Sequence, residues 1–341
     1  MIQERLKALR AEMEKRGITV YVVPTADFHE SEYVGDHFKA RKFITGFTGS
    51  AGTAVITLDE AGLWTDGRYF VQAENQLKDS TVTLYRMGEE GVPTVDEFVK
   101  DRLKEGGCLG FDGRVVNGTW GGKLEKIAAE KNVSMHVTED LVDLIWEDRP
   151  ALSKQPLFIL EEKYSGKSTA DKIADLRKAM KENGADVHIL TSLYDIAWLL
   201  NIRGNDIDYV PVVLSYLVLN ETECIWFLQE EVVDDKIRAY LEENHITTKP
   251  YDAIYDYVPE IPADAVVLMN RGTVNYRIVN SLDKAIKVVD KPNPTELMKA
   301  VKNKTEVDNT RAAHVKDGVA FTKFMYWLKT NIGKIPMTEI S

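Results

Sequence analysis

A helix and strand pattern that occurs twice is the feature that most constrains the fold of this 341-residue chain. In two segments, apolar residues recur every three or four positions, which is typical of an amphipathic helix with one buried face. A glycine follows each segment, in the position where a helix ends in the left-handed conformation. A short apolar strand comes next, at residues 18–23 and again at Val187–Leu190. The helix positions and glycines are Leu6, Leu9, Met13 and Gly17, then Ile173, Leu176, Met180 and Gly184.

A predicted β-hairpin follows each of these strands. In both hairpins, nine residues separate the first apolar residue from a tryptophan: Val55 precedes Trp64, and Leu217 precedes Trp226. The same order of helix, strand and hairpin, found twice, favours duplication over a chance match. The sequence therefore predicts an α/β fold with two similar domains in tandem.

Two proline-containing stretches divide the chain into three predicted parts. Residues 148–172 contain Pro150 and Pro156 and a Gly/Ser/Lys run, so we place the first boundary near Leu157. After Pro294 the composition changes: Thr295 can cap a helix, and the following residues are mostly helix-forming, with an apolar stripe interrupted near Gly318. The predicted domains are residues 1–156, 157–293 and 294–341.

The last residues have the pattern of a helix that has only begun. Gly333 and Pro336 end one helix, and Thr338 and Glu339 are typical of the start of another, which Ser341 cuts short. Because three or four residues do not form a stable helix alone, the sequence predicts that the chain is part of a longer protein.

The composition argues against several classes of protein. A formal net charge of -11 disfavours nucleic acid as a partner, because nucleic-acid binding depends on Lys and Arg meeting phosphates. The amino terminus lacks the apolar segment of a signal peptide, and no apolar run approaches the ~20 residues of a membrane span. Cys108 and Cys224 are too few for a disulfide scaffold, although a disulfide between them stays open. We expect a cytoplasmic protein that binds neither membrane nor nucleic acid.

Residues 43–72 concentrate glycines before a strand. Gly46, Gly49 and Gly52 have the spacing G-x-x-G-x-x-G, which is neither the dinucleotide fingerprint nor the phosphate loop, and no lysine follows to reach a phosphate. Ser50 does not fit a nucleophile elbow, because one glycine of that motif is missing and no helix follows. We favour a structural interpretation, in which the glycines permit a tight turn and close backbone packing.

Arg68 is the candidate binding residue of this stretch. Asp66 and Gly67 can turn the chain and leave a fixed guanidinium that could bind a carboxylate or a peptide carbonyl. A salt bridge from Arg68 to Asp66 or another neighbour is the alternative, and the sequence alone leaves both open. For Arg203, in a similar polar loop of the second copy, we favour a bracing role within its domain.

Acidic residues and histidines cluster in residues 27–37 without the spacing of a metal site. His29 and His37 are eight residues apart, unlike the pair in H-E-x-x-H. We interpret the stretch as a carboxylate-rich surface loop, and no metal site is predicted in the chain. The residues concerned are Asp27, His29, Glu30, Glu32, Asp36 and His37.

Four longer segments together resemble the three-domain type of aminopeptidase P (Xaa-Pro aminopeptidase), in the creatinase and methionine-aminopeptidase superfamily. They are residues 23–33 (VPTADFHESEY), 47–54 (FTGSAGTA), 64–70 (WTDGRYF) and 195–206 (DIAWLLNIRGND). Residues 297–303 and 314–320 are similar to the opening helices of that family's third domain. The resemblance implies two creatinase N-terminal-like domains, each a mixed sheet with flanking helices, and the first helices of a pita-bread catalytic domain.

The resemblance also implies an activity. Members remove the N-terminal residue from short peptides with proline second, as cytosolic enzymes that commonly dimerise and use two divalent ions, usually Mn²⁺. Two Asp, one His and two Glu hold those ions, and the resemblance implies that these ligands lie beyond Ser341, so no catalytic residue or metal is expected in this chain. The arginine of W-T-D-G-R-Y-F is Arg68, which the family uses to contact substrate. The family's Asn before proline is Val210 here, a departure that puts a polar role there in doubt.

The resemblance implies that these domains shape and gate the substrate site and are inactive alone. One alternative is a non-catalytic peptide- or protein-binding module derived from the same fold, because a chain without metal ligands is consistent with it. The other is a related hydrolase such as creatinase or an Xaa-Pro dipeptidase, but those have one N-terminal domain rather than two copies.

Overall fold

Domain I is a mixed six-stranded sheet with helices on both faces, in a computed structural model that describes residues 1–340. Its helices are α1 (Ile2–Lys15), α2 (Ala40–Thr45), α3 (Phe70–Gln76), α4 (Val95–Arg102) and α5 (Gly118–Glu130). Its strands are β1 (Val20–Pro24), β2 (Thr53–Thr57), β3 (Ala61–Thr65), β4 (Thr83–Arg86), β5 (Cys108–Phe111) and β6 (Ser134–His136). The order is β4-β3-β2-β1-β5-β6, in which β2 is antiparallel to β1 and β3 and the other pairs are parallel.

Domain II repeats this sheet strand for strand. Its helices are α6 (Glu162–Ser165), α7 (Thr169–Glu182), α8 (Leu193–Leu200), α9 (Asp235–Glu243), α10 (Ile254–Tyr257) and α11 (Tyr276–Ser281). Its strands are β7 (Phe158–Ile159), β8 (Val187–Leu190), β9 (Ile202–Arg203), β10 (Ser215–Asn220), β11 (Cys224–Leu228), β12 (Ile246–Pro250), β13 (Val266–Met269) and β14 (Lys287–Asp290). The order β12-β11-β10-β8-β13-β14 has the same directions as the first sheet, while β7 pairs separately with β9.

The repeated sequence pattern forms the repeated structure. The apolar positions of α1 and α7 are buried against their sheets, and the glycines after them adopt φ of +68° at Gly17 and +63° at Gly184. Both predicted hairpins form, β2 with β3 and β10 with β11, and their tryptophans, Trp64 and Trp226, are fully buried. The predicted α/β fold with two similar domains is confirmed.

The two domains meet through equivalent segments, which gives the contact an approximate internal twofold symmetry. Asn117 precedes α5, and Asn275 precedes α11. Backbone hydrogen bonds join the residues that flank Asn117 to the residues that flank Asn275. Phe28 and Phe38 of domain I also enter a core cluster formed mainly by domain II. The four hydrogen bonds, from amide to carbonyl, are Gly118 to Val274 (2.8 Å), Tyr276 to Val116 (2.7 Å), Thr119 to Arg271 (3.1 Å) and Arg277 to Gly113 (2.9 Å).

Gly121 provides a test of this interface. A Cβ at Gly121 would lie 2.1 Å from a ring carbon of Tyr276, whereas a Cβ at the adjacent Gly122 would meet no atom within 4 Å. We expect Gly121→Ala to lower the free energy of unfolding by about 2 kcal/mol, because the overpacked contact forces a shift. Gly122→Ala should raise it by up to about 1 kcal/mol, since alanine is the better helix former. Urea denaturation measures both, and equal values would contradict the packing of α5 on Tyr276.

Two helices follow domain II, α12 (Pro294–Ala300) and α13 (Lys304–Asn331). Thr295 was expected to cap α12, but Asn293 takes the cap position and its backbone amide donates to the Glu296 carboxylate at 3.2 Å. Helix α13 continues through Gly318 without a break.

The end of the chain is described only as far as residue 340. Residues 338–340 are not helical, unlike the predicted start of another helix. Ser341 lies outside the described residues. The expectation that metal ligands lie beyond Ser341 therefore stays a prediction, which residues 1–340 do not test.

Helix α13 is attached to domain II at its beginning and exposes much of its apolar surface. The Asn303 amide side chain, at the cap, donates to the Ser165 carbonyl at 2.8 Å. Neither α13 nor another helix of residues 1–340 is long and apolar enough to cross a bilayer. The exposed apolar side chains of α13 include Val315, Val319, Phe321, Phe324 and Trp327.

The two cysteines lie in different domains, Cys108 in β5 and Cys224 in β11. Both thiols are free and buried, so the disulfide that the sequence left open is not formed. Burial raises the pKa of the Cys224 thiol to about 12, and a thiol that stays protonated is a poor nucleophile.

Candidate functional site

Arg68 stands on a tight turn between a strand and a helix. Strand β3 ends at Thr65, and the Tyr69 amide donates to the Asp66 carbonyl at 3.0 Å to close the turn. Asp66 accepts two side-chain hydrogen bonds from the guanidinium, from Nε and from Nη2, each at 2.9 Å. The ion pair that the sequence offered as an alternative therefore forms, and hydrogen bonding to Arg68 lowers the pKa of Asp66. The Arg68 side chain is nevertheless 70% exposed, so its other donors face solvent.

Tyr69 joins the Arg68 turn to the glycine-rich loop. Its hydroxyl lies 2.6 Å from the Ser50 hydroxyl, and its ring lies edge-on to Phe47 with centroids 6.0 Å apart. The guanidinium of Arg68 sits 5.2 Å from the centre of the same ring, within the range of a cation–π contact. Ser50 is thus hydrogen-bonded to a phenol and not to a general base. This agrees with the structural role that we favoured for this loop.

The three glycines of this loop are needed for backbone geometry. Gly46 ends α2 with φ of +76°, a conformation that favours glycine. A Cβ at Gly49 would lie 2.2 Å from the Phe47 ring, and one at Gly52 would lie 2.9 Å from the Trp64 carbonyl oxygen. The predicted tight turn and close packing are confirmed, and they hold the loop that supports Arg68.

Arg41 is the residue of this region that sequence reasoning missed. It lies in α2, is 3% exposed, and binds the glycine-rich loop from inside. Its Nε donates to the Thr25 hydroxyl at 2.9 Å, Nη1 donates to the Phe47 carbonyl at 2.5 Å, and Nη2 donates to the Gly49 carbonyl. No local sequence pattern marks Arg41, because the carbonyls that it binds come together only when the loop folds.

A cleft of about 750 Å³ opens beside this loop, between the two domains. Domain I contributes the glycine-rich loop and part of α2, domain II contributes the segment before β10, and the linker between the domains closes one side. Arg68 is not among the lining residues. Representative lining residues are Arg41, Thr48, Ser50, Gln155, Asp206 and Tyr209.

The sequence predicted a surface loop for residues 27–37, but only part of this stretch is exposed. Asp27 and His29 are 1% and 2% exposed, because the stretch enters the contact between the domains. Asp27 accepts the amides of His29 and Ser31 at 2.9 Å each, and His29 Nε2 lies 2.6 Å from the Tyr251 hydroxyl of domain II. In residues 1–340 no three His, Cys, Asp or Glu side chains are grouped so that they could hold a metal ion. The exposed members are Glu30, Glu32 and Asp36.

Arg203 has the bracing role that the sequence favoured. Its Nη1 donates to the carbonyls of Ala197 and Ile202, the latter at 3.1 Å, which ties the end of α8 to β9. Farther along the same loop, Tyr209 adopts φ of +65° and is fully exposed, next to Val210. Val210 offers no polar side chain at that position.

Each of the two sheets corresponds to a known family of domains. Residues 5–145 match the sequence model of the creatinase/prolidase N-terminal domain, and residues 148–306 match a second model of the same description. The chain belongs to the creatinase/prolidase N-terminal family. It contains two of these domains, one for each sheet described above.

Relatives of these two creatinase/prolidase N-terminal domains carry the name probable Xaa-Pro aminopeptidase P. The protein from Neurospora crassa is 38% identical over 96% of this chain and 50% of its own length. The protein from Laccaria bicolor is 39% identical over 96% of this chain and 52% of its own length. The chain spans about half the length of the curated relatives it matches.

A solved structure is similar over both creatinase/prolidase N-terminal domains and the helices after them. The X-prolyl aminopeptidase from Caenorhabditis elegans, described as a cytosolic enzyme with a di-nuclear active site, matches with a TM-score of 0.93. The two are 32% identical, and the match covers 100% of this chain and 58% of the other. Because one superposition covers both domains, the arrangement of the domains is shared as well as their folds. The resemblance to Xaa-Pro aminopeptidases seen in the sequence is confirmed.

Proposed function

We propose that this chain is the N-terminal part of an Xaa-Pro aminopeptidase, which hydrolyses the N-terminal residue from peptides with proline second. The observation that carries this proposal is the superposition on an X-prolyl aminopeptidase over the entire chain, with both domains in the same arrangement. Identities of 38% and 39% to proteins named probable Xaa-Pro aminopeptidase P support it. In this proposal, residues 1–156 and 157–293 are the two N-terminal domains, and residues 294–341 open the catalytic domain.

The two domains shape and gate the substrate site in this proposal, and Arg68 contacts the peptide. The support is geometric: Asp66 and the Tyr69 ring fix the base of the guanidinium, while 70% of the side chain remains exposed. Arginine can donate several hydrogen bonds in a fixed plane, so donors not used by Asp66 are available to a carbonyl or a carboxylate. Short proline-containing peptides are the proposed ligands.

Two divalent ions, with Mn²⁺ as our choice, are part of the proposed enzyme. The described residues do not fit a metal, because none of their His, Cys, Asp and Glu side chains form a ligand group. We therefore assign the metal ligands to the part of the relatives' length that this chain does not match, beyond the position of Ser341. We assign no step of the hydrolysis to residues 1–340. We also propose that the enzyme is a homodimer in the cytoplasm. The description of the C. elegans enzyme as cytosolic supports the cytoplasmic location.

The chain alone should be inactive. We expect the purified 341-residue protein to release no N-terminal residue from an Xaa-Pro-Pro peptide with added Mn²⁺, because it lacks a ligand group within residues 1–340. Chromatography of the released amino acid measures this, with a protein that includes the remaining length as the positive control. Turnover by the 341-residue chain that depends on Mn²⁺ would contradict the assignment.

A further inference from the structure

The turn Asp66-Gly67-Arg68 has an internal counterpart in the same domain. Asp112-Gly113-Arg114 has the same three residues, and each turn directly follows the end of a strand, β3 or β5. In both turns the amide after the arginine donates to the aspartate carbonyl, at 3.0 Å in the first and 3.1 Å in the second. The arginine Nε donates to Oδ1 of the aspartate and Nη2 donates to Oδ2, at 2.9 Å each in the first turn and 3.0 Å each in the second. The domain therefore uses one D-G-R unit twice.

The buried copy of this unit fixes its guanidinium with two supports, a carboxylate and an aromatic ring. Asp112 is 3% exposed, and the Arg114 guanidinium lies 4.5 Å from the centre of the Phe28 ring. The exposed copy has the same kinds of support, since Arg68 is paired with Asp66 and lies 5.2 Å from the centre of the Tyr69 ring.

The guanidinium of Arg68 keeps free donors. Asp66 takes two of the five N–H groups of the guanidinium, and no acceptor in residues 1–340 is hydrogen-bonded to the other three. These three are both N–H groups of Nη1 and one of Nη2, and the side chain is 70% exposed. One edge of the guanidinium is thus held, and another is available to a ligand.

The supports of Arg68 are themselves fixed. The Tyr69 hydroxyl lies 2.6 Å from the Ser50 hydroxyl, and the Tyr69 ring packs edge-on to Phe47. Asp66 also accepts the Arg68 backbone amide at 3.1 Å, so one carboxylate holds both the main chain and the side chain of this arginine. A long side chain that is free in solution loses rotamer freedom when it binds a ligand, which weakens binding. For Arg68 this loss has already occurred in the folded chain.

Asp66 also affects which acceptor the free edge favours. Its carboxylate neutralises the guanidinium, so the pair as a unit carries no net charge. A neutral pair attracts a second carboxylate less strongly than an unpaired arginine does. A carbonyl oxygen carries no charge, and its two lone pairs can accept from Nη1 and Nη2. The pairing therefore favours a carbonyl over a carboxylate.

We propose that Asp66 and Tyr69 are positioning residues, which hold Arg68 as an ordered fork for a backbone carbonyl of the peptide substrate. Both act through Arg68 and make no contact with the substrate themselves. The choice of a peptide as the ligand rests on the proposed function, whereas the ordered fork rests on the geometry of the turn.

A double-mutant cycle tests the positioning role, with Ala-Pro-Pro as the substrate and the protein expressed from its complete reading frame as the enzyme. We expect Asp66→Asn and Tyr69→Leu each to lower kcat/KM about 3- to 10-fold, the effect of having to order one long side chain on binding. In an Arg68→Ala background the same substitutions should change kcat/KM by less than about twofold, because the side chain that they position is gone.

Two further variants are the controls for this cycle. Tyr69→Phe keeps the ring beside the guanidinium and should stay within about twofold of the unaltered enzyme. Asp101→Asn is the matched control for Asp66→Asn, because Asp101 also pairs with an arginine, Arg102, but does so on α4 and outside this turn. It too should stay within about twofold. Losses of the same size with and without Arg68 would overturn the proposal, since Asp66 and Tyr69 would then act independently of it.

A comparison of two peptides tests the carbonyl. Ala-Pro-Pro and Ala-Pro-Pro-amide differ only at the C-terminal group. Arg68→Ala should lower kcat/KM by the same factor for both peptides, within about twofold. A loss more than about twofold larger for the free acid would show that Arg68 binds the C-terminal carboxylate and would overturn the assignment of a carbonyl.

NMR relaxation of the 341-residue protein tests the ordered fork without any activity. The Nε–H signal of Arg68, identified by its absence from Arg68→Ala, should have an order parameter above about 0.6 and should fall below this value in Asp66→Asn. An order parameter below about 0.6 in the unaltered protein, or one that Asp66→Asn leaves unchanged, would overturn the proposal. An enzyme that does not cleave Ala-Pro-Pro would instead contradict the proposed function, and the order parameter would then decide on the fork alone.

Discussion

Lowering the pH from 7 to 4 is expected to remove about 3 kcal/mol from the free energy of unfolding through one side chain, His29. This imidazole is completely buried between the domains, and burial lowers its pKa from 6.5 to about 4. A pKa difference of one unit corresponds to about 1.4 kcal/mol, so the lowering of the His29 pKa from 6.5 to about 4 gives a loss of about 3 kcal/mol in the free energy of unfolding. His29 is therefore a pH-sensitive contact between domains I and II.

The direction of the effect follows from which state binds the proton more tightly. In the unfolded chain His29 binds a proton near pH 6.5, whereas in the folded protein it does so only near pH 4. The stabilisation is complete above pH 6.5 and is lost as the pH falls from 6.5 to 4. Burial is what favours the neutral imidazole, and the hydrogen bonds fit one of its tautomers: the Thr191 carbonyl, 3.1 Å from Nδ1, can only accept, so Nε2 is left to accept from the Tyr251 hydroxyl.

The variant His29→Gln isolates this contribution. A glutamine can donate to Thr191 and accept from Tyr251 but does not titrate, while every other titrating group is common to both proteins. Urea denaturation between pH 7 and pH 4 should show the difference in free energy of unfolding between the two proteins change by about 3 kcal/mol, in favour of the variant at low pH. A difference that is constant across this range would show that His29 is not the buried neutral group described here.

Replacing Arg68 with alanine is expected to lower kcat/KM for an Xaa-Pro-Pro peptide by about 10- to 100-fold in the longer enzyme. Loss of a charge-assisted hydrogen bond to a substrate has effects of this size. The change should leave the thermal unfolding temperature nearly unaltered, because Arg68 is mostly exposed and an exposed ion pair stabilises a fold little. Steady-state kinetics with the same peptide measure the effect.

The matched control for this variant is Arg102→Ala. Arg102 also forms an ion pair, with Glu60, but it lies at the end of α4 and outside the Arg68 turn. Its loss should leave kcat/KM unchanged within about twofold, whereas a change within twofold for Arg68→Ala would rule out the proposed substrate contact.

The elements that sequence reasoning predicted are those whose signal is local. Apolar spacing in α1 and α7, with Gly17 and Gly184 after them, specifies each helix and its end without reference to the rest of the chain. The turn at Asp66 and Gly67 is equally local. Because the same local signals occur twice in the same order, two matching domains could be predicted without knowing how they pack.

Features that depend on tertiary contacts, between the domains or within one, could not be predicted in this way. His29 has the polarity of a surface residue, yet it is buried because domain II brings Tyr251 and Thr191 to it. Arg41 is an ordinary helix residue in sequence, and only the folded glycine-rich loop supplies the Phe47 and Gly49 carbonyls that it binds.

The most direct test of the proposed function is the activity of the protein expressed from its complete reading frame. With Mn²⁺ present, the protein should release the N-terminal residue from Ala-Pro-Pro and leave Ala-Ala-Pro essentially uncleaved. Release from the proline-second peptide alone is the result we predict. No release from either peptide would contradict an aminopeptidase and favour a peptide- or protein-binding module, and equal release from both would contradict the requirement for proline in the second position.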